Sequence, residues 1–193
     1  MNWGASEAVS GAVRDDRPPR PGQPAGATDH PSLPDAPALP SDLPARLGEF
    51  LRPDSAIVCV GNELRGDDGA GPAVARELAD AVPWAVYDTG PAPENWLGPI
   101  ARPGPASVLI VDAADFGGPP GAVRLLAPDQ LDTQCRGTHG PSPMAILEAL
   151  TMMHPCPCAV LGIQPLRTDV GSALSPPVAR AVRSVAEMLR SLG

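Results

Sequence analysis

The sequence predicts a single α/β domain: a twisted, mainly parallel five-stranded sheet with helices on both faces. Three observations predict it. Short apolar runs end in glycine or aspartate, segments with helical spacing lie between them, and the alternation continues without an internal repeat. A chain of 193 residues, 43 % hydrophobic, is long enough for one core of ordinary size.

The first 53 residues stand apart. They hold ten of the 27 prolines and few large apolar side chains, so they read as a disordered extension before a domain spanning 54–193. Leu43 to Leu51 has the pattern of a short helix just ahead of the domain. Removing residues 1–45 is expected to leave the domain folded.

From Ala56 each element has its own signature. AIVCVG is apolar throughout and ends in glycine, as a strand covered on both faces does. GPAVARELADAV spaces Val74, Leu78 and Val82 for a helix. WAVYDTG follows as a strand, then PENWLGPIA as a short helix or turn. SVLIVDAA is the clearest strand, and GAVRLLAP suits a sheet edge. PMAILEALTMM is helical and CAVLGIQP is a buried strand. Ser175 stands where it would cap a last helix whose first turn takes Pro176 and Pro177.

Charge and composition exclude several functions. At a net charge of −8, with no Lys/Arg-rich run, the chain's field repels nucleic acid and anionic membrane surfaces. No apolar run approaches the roughly 20 residues a membrane span needs, and the N-terminus lacks the order of a signal peptide, so a cytoplasmic protein is expected. Four unevenly spaced cysteines build no disulfide framework.

In open parallel sheets, ligands collect beyond the carboxyl ends of the strands. Asp67 and Asp68 follow the first strand, Asp88 ends the second, Asp112 ends the third, and His139 precedes the helix at Pro143. The glycines at 61, 66, 69 and 71 do not fit G-x-G-x-x-G, and no G-K-[ST] follows. Adjacent carboxylates would also repel a phosphate. Carboxylates with one imidazole suit a transition metal, and the donor types leave zinc, nickel, iron and manganese open. No H-E-x-x-H and no G-x-S-x-G is present. His154, Cys156 and Cys158 crowd into five residues, but a lone C-x-C lacks the second ligand pair of a structural zinc site. Asn62 and Gly61 shape the first turn, Glu94 and Asn95 start a helix near the crevice, and Gln164 with Pro165 ends the last strand beside it.

GNELRGDDGAGPAVARELA, YDTGPAPENWL, SVLIVDAADFGGPPGAVRLL, THGPSPM and VLGIQPLRTDVGSALSPPV occur here in order and with plausible spacing. Together they resemble the hydrogenase maturation endopeptidases, which trim the large subunit of nickel-iron hydrogenases. The resemblance covers nearly all of 56–192. It implies an enzyme without a resident metal or organic cofactor, which reads nickel already inserted in the large-subunit precursor and then removes a C-terminal extension. It also implies that Asp68, Asp112 and His139 contact that nickel. Asp88 matches the family's aspartate at the end of the second strand, although Asp-Thr-Gly stands where many relatives have Asp-Gly-Gly. Asp67 or Asp88 is a candidate to orient water. Ligand chemistry alone leaves open a non-enzymatic nickel checkpoint that binds the same precursor.

Overall fold

The computed structural model describes residues 37–134 and 143–193. Strands β1 (Ala56–Val60), β2 (Ala85–Gly90), β3 (Val108–Ala113), β4 (Val123–Leu126) and β5 (Cys158–Ile163) form one sheet in the order β2-β1-β3-β5-β4. All neighbours are parallel except β4, which runs antiparallel to β5 at the edge. The predicted sheet is thus the observed one.

Strand alternation sorts the core into two layers. Ile57, Cys59, Leu109, Val111, Leu161 and Ile163 face one side. There they meet α1 (Leu43–Phe50), α2 (Ala70–Leu78) and α6 (Pro176–Leu192). Val58, Val108, Ile110 and Val160 face the other side, against α3 (Leu97–Ala101), α4 (Pro128–Gln134) and α5 (Pro143–Met153). Because β1, β3 and β5 are covered on both faces, their sequences read as continuous apolar runs rather than alternating ones.

The helices follow from local chemistry. In α6, Pro176 and Pro177 occupy the first turn, where missing N–H donors cost nothing, and Val178, Ala181, Val182, Val185, Ala186 and Leu189 make one buried stripe. Helix α2 is shorter than its hydrophobic spacing suggests. It stops at Leu78, and Asp80 then takes a left-handed backbone (φ 56°), which turns the chain before Val82 can continue the helix. Helix α4 has no counterpart in the sequence reading, since PDQLDTQ carries a single buried apolar residue, Leu131.

The domain begins earlier than the expected boundary at residue 54. Leu43, Leu47 and Leu51 are buried in the same layer as α2 and α6. The Ser107 hydroxyl donates to the Phe50 carbonyl (2.9 Å) and contacts the Ser55 hydroxyl (2.7 Å), which ties the end of α1 to β3. Each fully buried leucine stabilises by about 1.5–3 kcal/mol, so a cut after residue 45 would remove core, not tail. The disorder expected for residues 1–36 lies outside the described residues. Among the described residues no helix is long and apolar enough to cross a membrane.

Candidate active site

The β1–α2 turn is built to bring a carboxylate to the end of β3. Gly61 adopts φ 137°, and a side chain there would fall on the Asp68 carbonyl, which accepts a hydrogen bond from the Asn62 N–H (3.1 Å). The Asn62 side-chain oxygen accepts from the Leu64 N–H (3.0 Å), so Asn62 shapes the turn as its residue type suggests. A one-turn 3-10 helix, Gly66–Gly69, carries both acids into α2. At Gly71 the first turn of α2 rests on the Val60 and Val111 carbonyls, with no space for a Cβ. That contact seats Asp68 over the junction of β1 and β3, where the strand order reverses.

Asp112 lies at this junction, the fifth residue of β3, buried and opposite Gly162 of β5. By strand alternation it shares the face of Val108 and Ile110, the side covered by α5. Burial, then the charge of Asp68, pushes its carboxyl up to about 8, while a hydrogen bond with the Ala113 backbone acts in the opposite sense. Asp112 therefore holds a proton near neutrality. Asp68 itself is half-buried.

Asp67 has a different fate from its neighbour. Its carboxylate is fully buried and accepts hydrogen bonds from the Leu166 N–H (2.8 Å), Arg167 N–H (3.0 Å), Ser175 N–H (2.6 Å) and Ser175 hydroxyl (2.9 Å). Three donors meet Oδ2 and one meets Oδ1, so both oxygens are engaged by the fold. Asp67, a candidate to orient water, is seen here in a bracing role. The residue clamps the β1–α2 turn to the β5–α6 loop. It also explains Ser175: the serine sits at the N-cap of α6, yet its hydroxyl turns to Asp67 instead of capping its own helix.

Asp88 is likewise moved away from the crevice. It is exposed, accepts from the Gly90 N–H (3.2 Å), and lines a cavity of about 410 Å³ with Leu78, Asp80, Trp84 and Val86, on the α2 side of the sheet. Asp112 faces the opposite side. A register shift between Cys59 and Val60 admits an extra residue in β2, and Thr89 turns inward there to donate to the Cys59 carbonyl (3.0 Å). Cys59, buried between the two strand-end acids, has its thiol pushed up by burial and by the charges of Asp88 and Asp112.

Gln164 does more than end β5. Its side-chain oxygen accepts from the Phe116 and Gly118 N–H groups (3.0 Å each), and its amide donates to Asp115 (3.0 Å), so it holds the loop after β3 in place. The Arg124 guanidinium lies over the Phe116 ring of that loop, 4.5 Å from its centre. Glu94 and Asn95 lie in a 3-10 turn, Pro93–Trp96, ahead of α3.

His139 lies outside the described residues. Among the described residues, no three His, Cys, Asp or Glu side chains form a metal-holding group. Cys156 and Cys158 lie at the start of β5, at the other end of the strand from Gln164; burial and then Cys158 push the Cys156 thiol up to about 11. Their neighbour His154 is engaged by the Pro105 carbonyl (3.1 Å).

Comparison with known proteins gives a consistent result. The family model described as "HycI: Hydrogenase maturation protease" matches residues 72–192. The Hydrogenase 3 maturation protease of Escherichia coli K12 is 36 % identical over 135 residues, which cover 69 % of this chain and 86 % of the relative. Among solved structures, the [NiFe] hydrogenase maturation protease HycI of Thermococcus kodakarensis superposes with a TM-score of 0.70 at 26 % identity, covering 76 % of this chain and 97 % of its own. The solution structure of the endopeptidase HycI from Escherichia coli gives 0.65 at 35 % identity, with 72 % and 90 % covered. With the family match over most of the folded domain and a relative 36 % identical over 135 residues, this chain belongs to the hydrogenase maturation protease family.

Proposed function

We propose that this protein is the endopeptidase that removes the C-terminal extension from the precursor of a nickel-iron hydrogenase large subunit, once nickel has been inserted. In this reading Asp68, Asp112 and His139 contact nickel that the precursor carries, and the metal therefore belongs to the substrate. The observation that carries the reading is the Asp68–Asp112 pair: a buried carboxyl raised to about 8 beside a second acid. Like charges so placed gain most from an arriving cation. Oxygen donors with a neutral imidazole also favour a transition metal over magnesium or calcium.

The chain's own residues then have distinct tasks. Asp68 and Asp112 dock the metal-bearing segment, and docking converts the cut into a reaction between groups already in place. Nickel carried in by the precursor would supply Lewis-acid chemistry next to the scissile peptide, with Asp68, Asp112 and His139 as the groups that would hold it. Asp112 gives up its proton as the cation arrives, which makes docking sensitive to pH. Asp67 keeps the Asp68 turn in register from behind.

The test is the intact mass of the large subunit after co-expression with this protein in nickel-replete and nickel-starved cells. Loss of the extension with nickel only, and its retention with Asp68→Asn, is the expected pattern. Retention of the extension beside the wild-type protein, in a precursor that holds nickel, would sink the protease reading and favour the checkpoint.

A further inference from the structure

Strand register decides which side chains share a face, and one row of the sheet continues the candidate site beyond its acids. Gly162 of β5 is paired with Asp112 of β3 on one side and with Arg124 of β4 on the other. Paired residues point to the same face, so Asp112, Gly162 and Arg124 line up on the α5 side, each about 5 Å from the next. A Cβ on Gly162 would lie 3.6 Å from Leu126, which belongs to that layer of the core.

Gly162 leaves the middle of the row without a side chain, and the Phe116 ring takes the space. Its Cε1 stands 3.5 Å from where that Cβ would be, and the Arg124 guanidinium lies over the ring. At its other edge the ring leaves Gly118 no room for a Cβ. The buried Gln164 side chain fixes the Phe116 and Gly118 N–H groups from behind. Backbone and ring are thus set in place before anything binds, and a ring so held has little entropy left to lose. Phe116 is half-buried, so part of its surface still faces solvent, one strand away from Asp112.

Resting on the protease reading above, we propose that Phe116 is a substrate-contact residue: its ring flanks Asp112 on the β5 side, and the peptide that carries nickel to Asp112 packs its backbone and side-chain carbon against it. Gln164 is the positioning residue that holds the ring there. The Asp68 turn occupies the β1 flank, so nickel that reaches Asp112 brings its own peptide within about one strand spacing of the ring. This van der Waals contact is the same before and during the cut, and its loss therefore acts on KM and spares kcat.

The chain has two phenylalanines, and Phe50 ends α1 on the opposite face of the sheet, so labelling with fluorophenylalanine gives the ring at 116 an internal control. The experiment adds nickel-loaded precursor in excess and records both fluorine signals by NMR, with Phe116→Leu to assign them. Initial rates give KM and kcat, and fluorescence anisotropy of labelled precursor gives Kd. Expected are a shifted Phe116 signal beside an unmoved Phe50 signal, and, in Phe116→Leu, a KM and Kd raised about fivefold or more with kcat within about twofold. Leucine keeps apolar volume over Gly162, so the loss of the ring is tested without opening a cavity. Gln164→Glu sets a second carboxylate against Asp115; it should move the Phe116 signal in the free protein and raise KM with kcat kept. A Phe116 signal that stays in place when precursor is bound overturns the contact, as does an unchanged Kd in Phe116→Leu or a kcat that falls while Kd holds. An unmoved Phe116 signal in Gln164→Glu overturns the positioning role. If wild type binds nickel-loaded precursor without cutting it, the protease reading fails, and the fluorine signal still decides the contact.

Discussion

Asp67 and Asp112 are both buried aspartates at the carboxyl edge of one sheet, and their surroundings are opposite. Asp67 is met by four donors across two loops. Asp112 is met by burial and by another acid, so its carboxyl rises to about 8. The contrast separates two uses of a buried carboxylate. Where donors from the fold meet both oxygens, the carboxylate serves the architecture. Where burial and a like charge oppose ionisation, the carboxyl keeps its proton.

The largest expected effect tests the Asp112 side of this contrast. Asp112→Asn and Asp68→Asn should each lower precursor processing by about a thousandfold or more, a loss read from single-turnover cleavage, while the fold survives. Processing within tenfold of wild type in either variant would remove that residue from the chemistry.

Asp67→Ala should act in the other currency. It strands the Leu166, Arg167 and Ser175 donors, and urea unfolding should show a loss of about 3 kcal/mol or more. An effect below about 1 kcal/mol would mean that water replaces the carboxylate, and the contrast with Asp112 would blur.

The pH dependence of stability is the next sharper. Between its ordinary value of 3.8 and about 8, Asp112 keeps its proton in the folded chain and loses it in the unfolded one. Folded protein binds more protons there, so this contribution to stability is complete below the lower value and is lost as pH rises through the upper one. Asp112→Asn should flatten the decline between pH 5 and pH 8 in denaturation midpoints, and a decline that persists unchanged assigns it to other groups. The same proton makes docking of the nickel-loaded precursor weaken by up to about tenfold per pH unit below 8, as titration calorimetry would record.

Asp88→Asn should matter least. An exposed acid on the far face of the sheet is worth within about 0.5 kcal/mol of stability. A thousandfold loss of processing in this variant would bring β2 back into the chemistry.

The sheet was legible because its three central strands are buried on both faces, and continuous apolar runs such as SVLIVDAA have few other uses. The convergence of Asp68 with Asp112 was legible for the same reason, since strand order and carboxyl ends confine both to one junction. Partners far along the chain were not. Asp67 meets residues 99 to 108 positions away, and no local pattern announces that a carboxylate beside a candidate ligand is already engaged by the fold. Asp88 pairs in regular register with Cys59 and so shares the α2-side face of that residue, which its place at a strand end does not announce. Helix α1 was legible as a helix, but its proline-rich approach set it outside the domain, although Leu43, Leu47 and Leu51 repeat every four residues and bury together in the core. The place of His139 was read from sequence alone.

Gly71 turns these positions into a tolerance. Because bare backbone lies between the start of α2 and the carbonyls of Val60 and Val111, the gap separating the two acids is fixed by peptide thickness instead of side-chain size. A single added methyl would act as a wedge, lifting the helix and spreading the carboxylates without altering either of them.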